Sequence, residues 1–403
     1  MYARTAEFED ATHAGVAPQA LTPQVIASRV LHFIAAPAAS EFDALALAIY
    51  AHQYQTNAPY RRFVDRVAVT PHHWTEIPAV PASAFRDSAL VCALGARGAE
   101  ARVYESSGTT EGPERRARHH VPDVAVYRAA AVAGFARALA PLGDGATALR
   151  PARADAATTT RPTSCGDGAV ATRVDSFVGA SSLHRPFVVA APERHSHPAS
   201  SLGEMMTWLR EAYDTDGAPS FLGADTLDLS GLGDALDSVD PARPIALLAV
   251  TSALLRLVDH GRQSGRRWQL PPGSVVVDTG GCKGYSDDLA RPAILDRYAE
   301  WLGVAPDDVV NEYGMTELSS QLYARGAGPH RSPPWLRTLV CDPASGRERP
   351  LGEPGLLRHV DLANVGSVVA VQTDDVGRAV DGGIELLGRA AGAVTRGCSL
   401  LVP

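Results

Sequence analysis

The sequence predicts an α/β protein in which mixed sheets covered by helices are followed by a smaller β subdomain. From Ile245 to Asn311, apolar runs of strand length alternate with periodic runs of helix length, the pattern of a parallel or mixed sheet buried on both faces. From Leu336 to Leu387 the runs become short and are separated by Gly, Pro and Asp, as in G-E-P-G-L-L-R-H-V-D-L-A-N and V-Q-T-D-D-V-G-R. Such spacing suits hairpins. The 403 residues, 45% hydrophobic and 20% charged, are enough for a large core and ordinary for a globular protein.

Taken in order, the elements follow from caps and breakers. Thr22 before Pro23 starts a helix whose apolar face is Val25, Val30, Leu31 and Ile34, because proline is tolerated in a first turn, where its missing N–H costs no bond. Ser40 with Asp43 reads as a capping box for a second helix, Phe42 to Tyr54. The prolines between Pro71 and Pro81 oppose regular structure, so Thr75–Phe85 is expected to run extended. Ala101–Tyr104 reads as a short strand, and Asp123, after Pro122, caps a helix over Val124 to Leu139. Gly143–Ala180 shows no sustained period and is expected to be an insertion or a loop.

Phe187–Ala191 reads as a buried strand and Leu202 to Tyr213 as a helix. His195 and His197 fall in the loop leading into that helix; with no third ligand nearby they do not read as a metal site. Next come a strand Ile245–Val250, a helix capped by Thr251 or Ser252 and running to Gly261, a strand Ser274–Val277, a helix Pro292–Leu302 closed by Gly303, and a strand Val309–Asn311. Ligands bind beyond the carboxyl ends of strands in such sheets. Two polar motifs fall there: D-T-G-G-C-K-G-Y, Asp278–Tyr285, and N-E-Y-G-M-T-E-L-S-S-Q-L-Y, Asn311–Tyr323.

Composition narrows the classes. A net charge of −8 argues against nonspecific nucleic-acid binding, which depends on clustered basic residues. No stretch approaches the ~20 uncharged apolar residues of a membrane span, and the polar N-terminus has no signal-peptide core, so a cytoplasmic protein is expected. The five cysteines, Cys92, Cys165, Cys282, Cys341 and Cys398, are scattered without C-x-x-C spacing and read as reduced thiols. Lys283 is the single lysine among the 37 Lys+Arg. A compact ammonium is not replaceable by guanidinium where a point charge is needed, so Lys283 reads either as functional or as a remnant of coding bias.

One stretch carries the most chemistry: Tyr104–Arg118, Y-E-S-S-G-T-T-E-G-P-E-R-R-A-R. Small hydroxyl side chains bury little apolar area but surround an anion well. Ser106, Ser107, Thr109 and Thr110 offer hydroxyls, Gly108 and Gly112 allow close backbone approach, and Arg115, Arg116 and Arg118 add positive charge. The same run also reads as a flexible linker, and the G-x-x-x-x-G-K-[ST] pattern is absent.

Four elements therefore occur in order: S-S-G-T-T, T-G-G, E-Y-G-M-T-E, and T-D-D-V-G-R followed by G-R-A. This order resembles the adenylate-forming enzymes, the superfamily of acyl-CoA synthetases and luciferases. Residues 75–85, T-G-G-C-K-G, E-Y-G-M-T-E-L-S-S-Q, V-D-L-A-N and the terminal R-G-C-S-L resemble one branch more closely, the acyl-protein synthetases of the LuxE type, over roughly residues 70–400. The resemblance implies an adenylate-forming large domain over residues 1–388, with a helical lead-in at 1–74 and the β subdomain at 336–388. The usual C-terminal domain would be truncated to a short tail, 389–403, carrying Cys398. It further implies ATP and Mg²⁺ as cofactors, a carboxylic, fatty acid as substrate, and an acyl-acceptor protein, a reductase or carrier, as partner.

Carried over by residue, the resemblance implies that Ser106, Ser107, Gly108, Thr109 and Thr110 hold the ATP phosphates. Gly280 and Gly281 would line the adenine or acyl pocket, with Tyr313, followed by Gly314, stacking on the base. Thr316 would contact the α-phosphate and Glu317 would hold the metal. Asp375 would bind ribose, Arg389 would face phosphate or ribose, and Cys398 would be the acylated cysteine. Glu111 and Glu114 stand where the superfamily has Gly and Lys, so Arg115 and Arg116 would have to offset them beside the triphosphate. Lys283, the single lysine, would supply the positive charge that the late catalytic lysine of the truncated C-terminal domain gives elsewhere in the superfamily.

Elementary chemistry fits this assignment. A carboxylic acid of pKa ~4.3 is already ionised at neutral pH and needs no general base to attack phosphorus. It needs two anions held in line and their charge offset, and then a thiolate to take the acyl group. Transfer directly to CoA, a carrier phosphopantetheine or an amine would use the same first step. A binding protein without catalysis would use neither.

Overall fold

The computed structural model describes residues 22–92, 101–106, 116–140, 183–281 and 289–390. The chain opens with three helices: α1 (Pro23–Ala35), α2 (Phe42–Thr56) and α3 (Ala58–Val67). Thr22 caps α1 as expected, its side chain accepting from the Val25 N–H. The expected capping box before α2 is not formed. A 3₁₀ turn, Ala39–Glu41, precedes α2 without a side-chain cap, and Asp43 instead accepts from the Trp74 N–H at 2.7 Å. A tertiary donor has taken the carboxylate that the local pattern assigned to the helix end. The sequence reading missed α3, although Asn57 caps it and Pro59 sits in its first turn.

Residues 75–85 are not wholly extended. A 3₁₀ turn at Trp74–Glu76 and a helical turn α4 (Ala84–Asp87) flank a two-residue strand β1 (Val80–Pro81). Proline blocks ladder bonds only at its own nitrogen, so short elements survive between the breaks. A hairpin follows, β2 (Arg102–Glu105) with β3 (Arg118–Val121), in antiparallel register Glu105↔Arg118. The expected helix is α5 (Ala125–Leu139), with Asp123 accepting from the Ala125 N–H at 2.9 Å.

The main sheet runs in the order β4 (Phe187–Ala190), β5 (Ala246–Val250), β6 (Val275–Thr279), β7 (Val309–Tyr313), β8 (Leu322–Arg325). Its first three pairings are parallel, and β8 returns antiparallel to β7. Every residue of β4 and β5 is buried, which for a sheet requires cover on both faces. The cover comes from α5, α6 (Ser201–Tyr213), α7 (Leu229–Asp237), α8 (Thr251–Ser264) and α9 (Arg291–Leu302). Gly265 and Gly303 close α8 and α9 in the left-handed conformation, φ +74 and +63, which glycine adopts without the Cβ penalty.

The expected cap on α8 is also absent, because Val250 stands at that position and Thr251 begins the helix. The Thr251 hydroxyl turns across to β6, 3.1 Å from the Thr279 carbonyl and 3.0 Å from the Gly280 carbonyl.

The second sheet carries the expected hairpins, β9 (Leu336–Cys341), β10 (Pro354–Asp361), β11 (Ala370–Val380) and β12 (Gly383–Arg389). On one side β11 pairs with β10; on the other it pairs with β1 at its start and with β12 along the rest. Residues 80–81 thus complete a sheet otherwise built some 290 positions later in the register Val80↔Val371. Helices α1 and α2 bury Ile26, Val30, Phe33, Leu45 and Ile49 against Trp335, Val360, Leu362 and Val369 of this region. Among the described residues no helix is long and apolar enough to cross a membrane.

Candidate functional site

The site grows from two neighbouring strand ends. Strands β6 and β7 are parallel with Thr279 opposite Glu312, so the T-G-G bend and the E-Y-G-M-T-E turn leave the sheet side by side. Gly280 takes φ +74, a conformation an L side chain rarely adopts. Among the described residues no atom lies within 4 Å of where a Cβ on Gly281 would stand. On Gly314 a Cβ would overlap the Glu312 carboxylate, so a side chain there would force the buried Glu312 to shift.

Below the bend lies a buried polar network. Asp278, fully buried, receives Arg291 Nη1 at 2.6 Å, Asn311 Nδ2 at 3.0 Å and Tyr298 Oη at 3.2 Å. A buried carboxylate needs such partners to offset its lost hydration. Asn311 Oδ1 lies 2.9 Å from His330 Nε2, and burial lowers the His330 pKa to about 4. Glu312 accepts from the Thr279 hydroxyl. Burial is the main reason its pKa rises to about 7; the Thr279 bond opposes the shift and the Asp278 charge adds to it.

Next to Glu312, at the end of β7, stands a second group. Tyr313 donates its hydroxyl to Asp375 at 2.8 Å, and Arg389 Nε lies 2.8 Å from the other Asp375 oxygen. Asp375 and Arg389 are cross-strand partners of β11 and β12, which fixes their approach. Burial first, then the Asp375 carboxylate, pushes the Tyr313 phenol well above its ordinary pKa, so the proton stays on the phenol. The Tyr313 ring is also tilted 38° to His359 at 5.9 Å.

The turn after Tyr313 is held from the second sheet. The Glu317 carbonyl accepts from Asn364 Nδ2 at 2.9 Å, while Asp361 accepts from the Ser319 N–H and the Ser320 hydroxyl. Glu317 itself is 1% exposed. From the other direction, the hairpin reaches the same turn through His119 on β3, whose Nδ1 is 2.7 Å from the Thr316 carbonyl. Ser106 closes the neck of the hydroxyl loop: its N–H donates to the Ala117 carbonyl at 2.9 Å and its Oγ accepts from the Ala117 N–H at 3.0 Å.

Of the residues singled out in the sequence, Gly280, Gly281, Tyr313, Gly314, Thr316, Glu317, Asp375, Arg389 and Ser106 thus belong to connected elements. Ser107, Gly108, Thr109, Thr110, Lys283 and Cys398 lie outside the described residues. The network members Asp278, Glu312, Arg291, His119 and Asn364 were given no role from the sequence. For Asp278 a signal existed, a carboxylate ending the apolar run V-V-V, and Asn364 closes the V-D-L-A-N motif; for His119 there was none. His195 and His197 lie in the turn before α6, where the Ser200 N–H donates to the His197 carbonyl at 3.0 Å. Among the described residues no group of three or more His, Cys, Asp or Glu side chains could hold a metal ion.

Residues 237–402 match the model of the family described as acyl-protein synthetase, LuxE. In fold the chain is similar to crystal structures of 2-hydroxyisobutyryl-CoA ligase. The open conformation, in complex with 2-HIB-AMP and CoA, aligns with a TM-score of 0.59 at 16% identity, covering 90% of this chain and 78% of that one. The thioesterification state, in complex with the same two molecules, gives 0.58 at 17% identity, with 90% and 71% covered. The postadenylation state with 2-HIB-AMP gives 0.57 at 16% identity, with 88% and 69% covered. No curated protein sequence matches the chain. The family match covers residues 237–402 alone, while the likeness of fold extends over 90% of the chain.

Proposed function

We propose that this chain, which carries the acyl-protein synthetase (LuxE) domain over residues 237–402 on an adenylate-forming fold, is an ATP-dependent acid–thiol ligase. A carboxylate oxygen of a fatty acid attacks the α-phosphorus of ATP, and pyrophosphate leaves. A thiolate then attacks the acyl carbon of the adenylate, and AMP leaves. The observation that carries the reading is the meeting of Tyr313, Asp375 and Arg389 at the end of β7, beside the glycine bend. Two regions 62 residues apart, one carrying Tyr313 and the other the hairpin partners Asp375 and Arg389, supply a ring, an acceptor for ribose hydroxyls and a fixed positive charge at one place,.

In this reading Ser106, Ser107, Gly108, Thr109 and Thr110 cradle the phosphates, Gly280 and Gly281 line the pocket, and Gly314 lets the turn pass over Glu312. Tyr313 packs on the base, Asp375 holds the ribose, Thr316 contacts the α-phosphate and Arg389 offsets developing charge. Lys283 supplies a further positive charge. Magnesium brought with ATP would need few protein ligands, so one protein carboxylate would suffice. Glu317, buried at the turn and close enough to Tyr313 to raise its pKa, fits that single-ligand role. A magnesium ion held there by Glu317 would supply positive charge to offset that of the phosphates.

Cys398 takes the acyl group as a thioester and passes it to an acceptor protein. Arg396, two residues away in sequence, favours the thiolate. Direct transfer to CoA is the second reading, favoured by the likeness of fold to a CoA ligase. Acid-dependent exchange of labelled pyrophosphate into ATP tests the first step, and its absence with every acid tried refutes the function. Labelled acid and ATP should then leave a covalent label on the protein that Cys398→Ser abolishes. Label appearing on CoA alone supports the second reading.

A further inference from the structure

We propose that His119 is a positioning residue for adenylate formation, fixing the backbone beneath Thr316 and fastening the hydroxyl-loop hairpin to the E-Y-G-M-T-E turn. The inference rests on the reading of Thr316 given above. A carbonyl oxygen can only accept, so the 2.7 Å contact with the Thr316 carbonyl places the ring proton on His119 Nδ1,. Nε2 is then bare and accepts from the Ser367 hydroxyl at 2.8 Å. Phe85 meets the ring edge-on, 5.5 Å between centroids at 90°. The side chain is 2% exposed, and both of its nitrogens are used.

The grip is doubled from a single turn. Ser367 belongs to residues 361–369, and its own carbonyl accepts from Asn57 Nδ2 at 3.1 Å. From the same turn Asn364 Nδ2 reaches the Glu317 carbonyl at 2.9 Å, and the Ser367 N–H donates to the Asn364 carbonyl at 3.3 Å. The carbonyls of two consecutive residues, Thr316 and Glu317, are therefore fixed from one support, one through His119 and one through Asn364. These are the residues read as contacting the α-phosphate and the metal. A displacement of ~1 Å at reacting groups costs on the order of a hundredfold in rate, so a rigid carbonyl beneath Thr316 bears on catalysis. Burial keeps the ring neutral, with a pKa lowered to about 4, so the tautomer holds across the working pH range.

Three substitutions separate positioning from packing. His119→Phe keeps the ring volume and loses both bonds. His119→Asn keeps a donor where Nδ1 stands, and His119→Gln places its amide nearer Nε2. In the pyrophosphate-exchange assay, kcat should fall ~10–100-fold in His119→Phe with KM for ATP within about 3-fold, and return to within about 5-fold of wild type in His119→Asn but not in His119→Gln. A folded His119→Phe with wild-type kcat, or equal recovery by Gln and Asn, overturns the inference. Should His119→Phe not fold, Ser367→Ala takes its place, with an expected loss of ~3–10-fold in kcat; an unchanged kcat overturns the inference. A wild-type chain that exchanges no pyrophosphate refutes the functional reading instead. Amide hydrogen exchange at residues 316–318 then judges the strap alone: about tenfold faster in His119→Phe than in wild type supports it, and equal rates overturn it.

Discussion

Replacing Glu312 with glutamine removes a buried charge from beneath the glycine bend and should make the protein more stable above neutral pH. The carboxyl is 5% exposed, and burial raises its pKa from 4.5 to about 7. A raised carboxyl pKa means that the folded state binds the proton more tightly than the unfolded chain does. Its contribution is then complete below the unfolded value and is lost as pH rises to the folded value. At 1.36 kcal/mol per pKa unit, the loss between pH 4.5 and about 7 is on the order of 3 kcal/mol,. Glutamine keeps the acceptor for the Thr279 hydroxyl and carries no charge to lose. Urea unfolding of both proteins from pH 4.5 to 8 should therefore give curves that converge in acid and separate by ~2–3 kcal/mol at pH 8, with the variant above. Some slope remains in the variant, because burial also raises the Asp361 pKa, to about 6. Parallel curves for the two proteins would refute the argument.

Two further perturbations probe the supports of the site. Gln53 is fully buried and spends its amide on the turn that holds Glu317, donating to the Asn364 and Val365 carbonyls and accepting from the Val369 N–H. Gln53→Ala should cost about 3–5 kcal/mol in unfolding free energy, since each buried group left unpaired costs ~1–3 kcal/mol; a loss under about 1 kcal/mol would contradict it. Asp375→Ala removes the acceptor shared by Tyr313 and Arg389. It should raise KM for ATP about tenfold or more in pyrophosphate exchange, and an unchanged KM would remove Asp375 from the nucleotide site.

The features legible beforehand were those written within a few residues. Helix α9 announces itself by Pro292 in its first turn and Gly303 at its end, and β5 by five consecutive apolar residues. The order of the hydroxyl, glycine and Y-G-M-T-E motifs was equally plain. Where local signs misled, a distant partner had intervened. Asp43 left its helix for the Trp74 N–H, 31 residues on, and Thr251 left its cap for the bend after β6.

The sequence by itself determined the alternation that makes the main sheet, the hairpin character of residues 336–388 and the place of two polar motifs, Asp278–Tyr285 and Asn311–Tyr323, at strand ends. Periodicity and capping are contacts of three or four residues' reach, so they survive in the linear text. Only the tertiary structure decided which of these polar groups meet. Tyr313 finds Asp375 across 62 residues, and Gln53 supports Asn364 across 311. No local energy term records such pairings, because they arise from the close packing of whole sheets and helices, which brings distant side chains together only after the chain has folded.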